Sequence, residues 1–185
     1  MTEDSVLVEK LREPDKREAA FRELVVSYQE RLYWHIRRIV LTHDDTDDVL
    51  QETFIKVFRN IDGFKGDSKL FSWMYRIATN EALSFLKRNS KLQGMVDGEV
   101  HEHLVQRLTA DPHFDGDQAE FELQKALAAL PDKQRLVFNM KYFEEMKYDE
   151  MSEVLETSVG ALKASYHLAV KKIRKYLKED IAEIP

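Results

Sequence analysis

Between residues 18 and 41 the apolar side chains Phe21, Leu24, Val25, Tyr28, Leu32, Ile36, Ile39 and Val40 recur every three or four positions. Only an α-helix gathers that spacing onto one face. The same period returns further on. Val49, Leu50, Thr53, Phe54, Val57, Phe58 and Ile61 describe a second helix, and Phe71, Met74, Ile77, Ala78, Leu83, Phe85 and Leu86 a third. Period-two alternation is rare. Six glycines and four prolines in 185 residues leave little material for tight turns. These features exclude a β-sandwich or barrel and predict an all-α fold.

Breaks in the period divide the chain. A short helix around Val6–Leu11 precedes the first long one. The acidic run Asp44-Asp45-Thr46-Asp47-Asp48 interrupts it, with Thr46 as N-cap of the next helix. Gly63 and Gly66 bracket a loop, and Ser68 is placed to cap the helix that follows. Residues 1–90 therefore form one helical module. Residues 91–117 hold Gly94, Gly98, Pro112 and Gly116 without a sustained period. They read as a flexible acidic linker, with at most a turn around His103–Leu108. A second module, 118–185, opens near Asp117 with Phe121, Leu123, Leu127 and Leu130, and restarts at Pro131 with Leu136, Val137, Met140 and Phe143. Tyr148–Leu155 reads as a short helix, Glu156-Thr157-Ser158 as a tight connection, and Val159 to about Ile181 as a long final helix. The chain is thus two small helical domains joined by a linker.

Charge is spread unevenly. The net of −6 resolves into −1 for residues 1–90, −4 for 91–117 and −1 for 118–185. Within the last part, residues 159–178 carry Lys163, Lys171, Lys172, Arg174, Lys175 and Lys178 and no acid. A basic helix inside an acidic protein points to a local phosphate contact rather than a general coat on nucleic acid. The absence of cysteine removes disulfides, thiolate metal sites and cysteine nucleophiles. The acidic start Met1-Thr2-Glu3-Asp4 shows no secretory pattern, and no apolar run is long enough to insert in a membrane, so a cytoplasmic chain is expected.

Three constellations carry chemistry. The short helix, three-residue turn and basic helix have helix-turn-helix dimensions. With Leu162 and Tyr166 inward, Gly160, Ala164, His167 and Lys171 point outward. Gly160 and Ala161 let the helix start approach a groove floor. Lys163 and His167 then reach bases or phosphates, and Thr157 and Ser158 join the free helix amides around a phosphate. The competing reading is a helical hairpin with a solvated basic face. Second, Phe64, Phe71, Trp73 and Tyr75 lie close in sequence to Arg76, Asn80, Lys87 and Arg88, a mixture suited to stacking on unpaired bases, or simply to core packing. Third, Asp48, Gln51, Glu52, Lys56 and Arg59 line one polar helix face. That face is either solvated, with Glu52 and Lys56 paired, or docked on a partner protein. The DDxxD spacing of Asp44–Asp48 fits a helix start better than a magnesium diphosphate site, and His101, His103 and His113, near Asp97 and Glu99, lack a framework. No metal or cofactor is expected.

The string Asp47-Asp48-Val49-Leu50-Gln51-Glu52-Thr53-Phe54-Ile55-Lys56-Val57-Phe58 is similar to region 2.2 of bacterial RNA polymerase sigma factors of the extracytoplasmic-function (ECF) type. Phe64-Lys65-Gly66-Asp67-Ser68 and Phe71 through Asn80 resemble region 2.3 and the loop before it. Leu127–Pro131 with Gln134–Phe138 resembles region 4.1, and Val159–Lys163 the region 4.2 recognition helix. The resemblance implies that Asp48, Gln51, Glu52 and Lys56 dock the clamp helices of the polymerase β′ subunit, with the β subunit as a further contact. It implies that Phe64, Lys65, Gly66, Asp67, Ser68 and Asn80 form a pocket for a base flipped from the −10 element, with Trp73, Tyr75 and Arg76 supporting melting. It implies that Thr157, Ser158, Gly160, Ala161, Lys163, Ala164, His167 and Lys171 read the −35 element, that the acidic linker threads the polymerase RNA channel, and that an anti-sigma factor is a partner alongside polymerase core and promoter DNA.

The sequence departs from the family at Ser165 and Leu168, where arginines are frequent, and at Lys147, where a serine cap is frequent. Two other readings stay open on the residues alone. One is a free-standing helix-turn-helix regulator, and the other a helical diphosphate enzyme built on Asp44–Asp48. On the leading reading the chain is not an enzyme, and catalysis belongs to the polymerase.

Overall fold

A computed structural model describes residues 3–92, 94, 97–112 and 116–182. Among these there are nine α-helices, one 3-10 turn and no strand. The helices are α1 (Glu3–Arg12), α2 (Arg17–Val40), α3 (His43–Asn60), α4 (Leu70–Leu92), α5 (Asp97–Ala110), α6 (Gln118–Ala128), α7 (Asp132–Tyr142), α8 (Tyr148–Leu155) and α9 (Val159–Ala182), and the 3-10 turn Ile61–Gly63 follows α3.

α2, α3 and α4 pack on one another in the first module. α2 contributes Leu24, Leu32, Ile36, Ile39 and Val40, α3 Val49, Phe54 and Val57, and α4 Phe71, Met74, Ala78 and Ala82. These are the apolar stripes of the sequence, closed on each other. α1 adds Leu7, Val8 and Leu11. α2 stops where Leu41 turns left-handed (φ 71°) and returns its N–H to the Arg37 carbonyl. α3 starts earlier than expected. Thr42, in extended backbone, flanks it, and Thr46 lies buried inside the helix with its hydroxyl donated to the Thr42 carbonyl at 2.6 Å. Thr46 is therefore not the cap. Nor does Ser68 directly precede α4: the Trp73 N–H goes to the Lys69 carbonyl at 3.1 Å, so Lys69 flanks the helix.

α6, α7 and α9 enclose a second core of Ala126, Leu127, Leu130, Phe138, Ala169 and Ile173. Asp117 caps α6 by accepting the Glu120 N–H at 2.9 Å, and Pro131 stands at the start of α7 as expected. The remainder of the second module does not keep to itself. Leu136, Val137, Met140, Met146, Met151, Val154 and Leu162 belong to the same continuous core as α1–α4.

The acidic segment differs most from its sequence reading. Residues 97–110 form the helix α5 rather than a flexible linker with a turn. Leu104 is buried with Leu41 and Ala128, with Val105 and Leu86 packed against them, and Leu108, one turn on, is buried as well. Arg107 pairs with Asp45, and Arg37 with Asp111, across the segment. Two leucines are too few to show as a period in a sequence, but they suffice once a neighbouring surface buries them. His113 lies outside the described residues.

Leu104→Ala removes half of this anchor. The expected result is loss of slow amide exchange over 102–110 while α2 and α4 stay protected; unchanged protection of α5 would contradict its docking.

Candidate nucleic-acid and polymerase interfaces

The loop after α3 is held from the N-terminal side. The Arg12 guanidinium donates to the Phe64 carbonyl. Arg17 donates to the Phe58 carbonyl (2.8 Å) and to Asp62 (3.2 Å), and lies 4.7 Å over the Phe58 ring. These contacts fix the leading end of a turn whose tip is open: Lys65, Gly66 and Asp67 are exposed and Ser68 half-buried. Gly66 has φ 79°, which costs a side-chain-bearing residue about 1 kcal/mol. Phe64 itself is turned inward, 7% exposed, with its ring 5.3 Å from half-buried Trp73.

The structure separates the aromatics that lie together in sequence. Tyr75 is in the core, not on the surface expected of it. Its ring lies 4.2 Å from Phe71 and 4.7 Å from His35, and its hydroxyl donates to the Arg31 carbonyl at 3.2 Å. Burial pushes its phenol well above the usual range, so it stays neutral. Position i+4 from Phe71 placed it on the buried face. Arg76 is half-buried and paired, and Asn80 is exposed, so the open elements here are the loop tip and Asn80, with the Trp73 edge.

On α3, Asp48, Gln51, Glu52 and Lys56 are all exposed. Lys56 pairs across to Glu81 on α4 rather than with Glu52, which leaves Glu52 free of the pairing expected for it. Asp48, Gln51 and Glu52 border a shallow groove of about 220 Å³ that Val49, Phe85, Glu81 and Arg88 complete. An apolar floor with a mostly acidic rim suits a basic partner segment.

The helix-turn-helix forms as expected in α8, the turn and α9. Glu156 makes the turn in left-handed backbone (φ 50°), where glycine is usual. Ser158 caps α9 by accepting the Ala161 N–H at 3.3 Å, and Thr157 donates to the Leu155 carbonyl at 3.0 Å. Both hydroxyls therefore work locally before any phosphate arrives. At α8, Glu150 supplies what Lys147 lacks, accepting the Lys147 N–H at 3.3 Å. Gly160, Ala161, Lys163, Ala164, His167 and Lys171 form one exposed face, with Lys163 reaching over the Tyr148 ring at 5.7 Å. Leu168 is 46% exposed.

The two interfaces meet different fates. The recognition face of α9 is open. The start of α4 is covered by α8 and the turn after it, whose carboxylates take the cations: Lys69 to Glu150 at 2.9 Å and Arg76 to Glu156 at 3.1 Å. Glu150 and Glu156 were invisible as site residues in the sequence, since each partner lies about eighty positions away.

Comparison with known proteins agrees with this layout. The model of sigma-70 region 2 matches residues 24–92, and that of sigma-70 region 4 matches residues 120–173. The RNA polymerase sigma-H factor of Pseudomonas aeruginosa is 30% identical over 189 residues, covering 98% of this chain and 97% of the relative. The ECF sigma factor SigW of Bacillus subtilis is 29% identical over 168 residues, covering 86% and 90%. Of solved structures, CnrH in complex with the cytosolic domain of CnrY aligns with TM-score 0.67 at 22% identity over 96% of this chain and 98% of that one. Sigma factor RpoE of Bartonella quintana, in complex with the anti-sigma factor NepR, aligns at 0.65 and 20% identity over 85% and 96%. These two show the fold. The chain belongs to the RNA polymerase sigma factors, and within them to the ECF subfamily. It is an alternative sigma factor that directs transcription initiation, and the reading as a free-standing regulator has no support. Its relatives are initiation factors, and among the described residues no helix is long and apolar enough to cross a membrane.

Two predictions follow from the geometry. The Lys69 hydrogen bond holds the Glu150 carboxyl below its ordinary value, against the opposing effect of burial. The stability this gives is present above the ordinary carboxyl range and is lost as pH falls through the depressed value. Lys69→Ala should move the Glu150 carboxyl titration upward, read by carbon NMR; an unmoved titration would show that the pair does not form. Gly66→Ala meets no neighbour within 4 Å. It should therefore lower unfolding stability in urea by about 1 kcal/mol through backbone strain alone.

Proposed function

We propose that the exposed loop tip Lys65–Ser68, with Asn80, receives a base flipped from the −10 element, and that Arg76 and the Trp73 edge follow the adjoining single strand. The support is an exposed turn held at its leading end beside an aromatic and a cation, an arrangement that offsets the few kcal/mol spent on unstacking a base. Phe64 and Tyr75 act from beneath, as the packed floor of this surface.

The α9 face from Gly160 to Lys171 enters the −35 major groove. With Ser165 and Leu168 in place of arginines, readout there rests on Lys163, on backbone contacts and on DNA shape more than on bidentate recognition of guanine. Asp48, Gln51 and Glu52 seat the polymerase β′ clamp helices, with the β subunit contacting the second module. An anti-sigma factor holds the chain until a signal arrives, as NepR binds the similar RpoE. On this reading the chain works in the cytoplasm, with the polymerase.

The observation that carries the reading is the pairing of an open recognition helix with a second, separate loop surface on one chain. Run-off transcription with purified polymerase core over genomic promoter fragments should give defined start sites, and their absence would overturn the reading. Glu52→Lys should abolish core binding in a pull-down without unfolding the chain. Lys163→Gln should lower promoter affinity and reduce the salt dependence of binding by roughly one unit of slope, as loss of one phosphate contact does.

A further inference from the structure

The segment between the two modules does more than connect them. α5 has 14 residues, a length at which an isolated helix is marginal in water. It is helical here because a surface outside it holds it in place.

That surface comes from both modules. Leu104, 3% exposed, is buried with Leu41, at the end of α2, and with Ala128, the last residue of α6, and Leu86 of α4 packs against them. The first module also supplies charge. Arg107 pairs with Asp45 in the first turn of α3 and donates to the Thr42 hydroxyl oxygen at 3.4 Å. Thr42 gives its own hydrogen to Asp45 at 2.5 Å. Arg37, in the last turn of α2, pairs with Asp111 just past α5, and both side chains are largely buried. The cation lies on α5 in one pair and on α2 in the other, so opposite charges meet in a single register.

Leu104 couples two events. If the modules part, it keeps Leu41 or Ala128 but not both, and apolar surface opens to water. If α5 leaves instead, Leu41 and Ala128 lose the side chain that covers them. Each contact is worth more while the other is made, and the effect is equal in both directions. The seat is also small enough to let go. A cleft of about 310 Å³ lies between the start of α3 and the end of α5, so on that side an ion pair rather than a sealed core holds the helix. Once off its seat, a helix this short loses most of its order, and undocking becomes a passage from order to disorder.

We infer that α5 is an internal clasp: its docking and the closing of the two modules stabilise each other, so that α5 leaves its seat and the modules part as one event. The clasp is a property of the free chain and stands apart from which residues read the promoter.

Two readouts on the full-length protein test it, both in graded urea below the unfolding transition. The chain lacks cysteine, so a dye pair on Glu30→Cys and Lys172→Cys, two exposed positions, reports the separation of α2 and α9. Amide exchange over 102–110 reports α5, and that of α2 and α4 marks the intact first module. Arg107→Glu sets two carboxylates against each other. It should lower the closing constant by about tenfold, with α5 losing protection in step. Adding Asp45→Lys restores opposite charges and should recover both readouts. Leu104→Ala should part the modules with no change of charge. Free exchange over 102–110 at an unchanged separation would overturn the clasp. So would modules that part while α5 stays protected, or a double variant that stays open with α3 still protected.

Discussion

The burial of α8 against α4 decides what the rest of the molecule can do. Met151 and Val154 of α8, with Met140 and Leu162 beside it, are part of one core with Met74 and Ala78. Each such side chain contributes about 1.5–3 kcal/mol when buried, whereas an exposed ion pair contributes about 0–1 kcal/mol. The apolar contact therefore holds the modules together. The pairs Lys69–Glu150 and Arg76–Glu156 set the register and fill the cationic positions with carboxylates, as nucleic-acid phosphates would.

An asymmetry follows. The recognition face of α9 looks outward in the same conformation in which Arg76 is engaged by α8. On the proposed roles, a chain in this form presents its duplex-reading helix while Arg76 of the melting surface is occupied. Placing both on one promoter requires α8 to leave α4, and that exposes apolar surface a partner must cover. The His35–Glu144 contact at 2.9 Å is a further tie between the two modules.

Much of this was legible in the sequence because it depends on local period and turn chemistry. α8 begins and ends where the apolar spacing puts it, and α2 and α9 agree to within about a residue. The family strings pointed to the loop after α3 and to the outer face of α9, both of which the structure leaves exposed. What escaped was long-range. Thr46 looks like a cap until Thr42 is seen in extended backbone before α3. Tyr75 looks like a surface aromatic until the turn after Phe71 is packed against His35. Leu104 and Leu108 carry no visible period, and only burial, that of Leu104 against Leu41 and Ala128, makes α5 a docked helix. His35 and Glu144 are 109 residues apart. No pattern in a single sequence joins them.

The central claim is that α4 and α8 must part before a promoter can be opened. Lys69→Cys and Glu150→Cys, joined by a short bifunctional thiol reagent, hold them together in a chain that otherwise has no cysteine. Abortive transcript synthesis with polymerase core, compared with the same variant singly alkylated at each thiol, measures the consequence. The account predicts activity in the singly alkylated chain and loss of initiation in the cross-linked one. Equal initiation by both would show that the closed contact is no obstacle, and would contradict it.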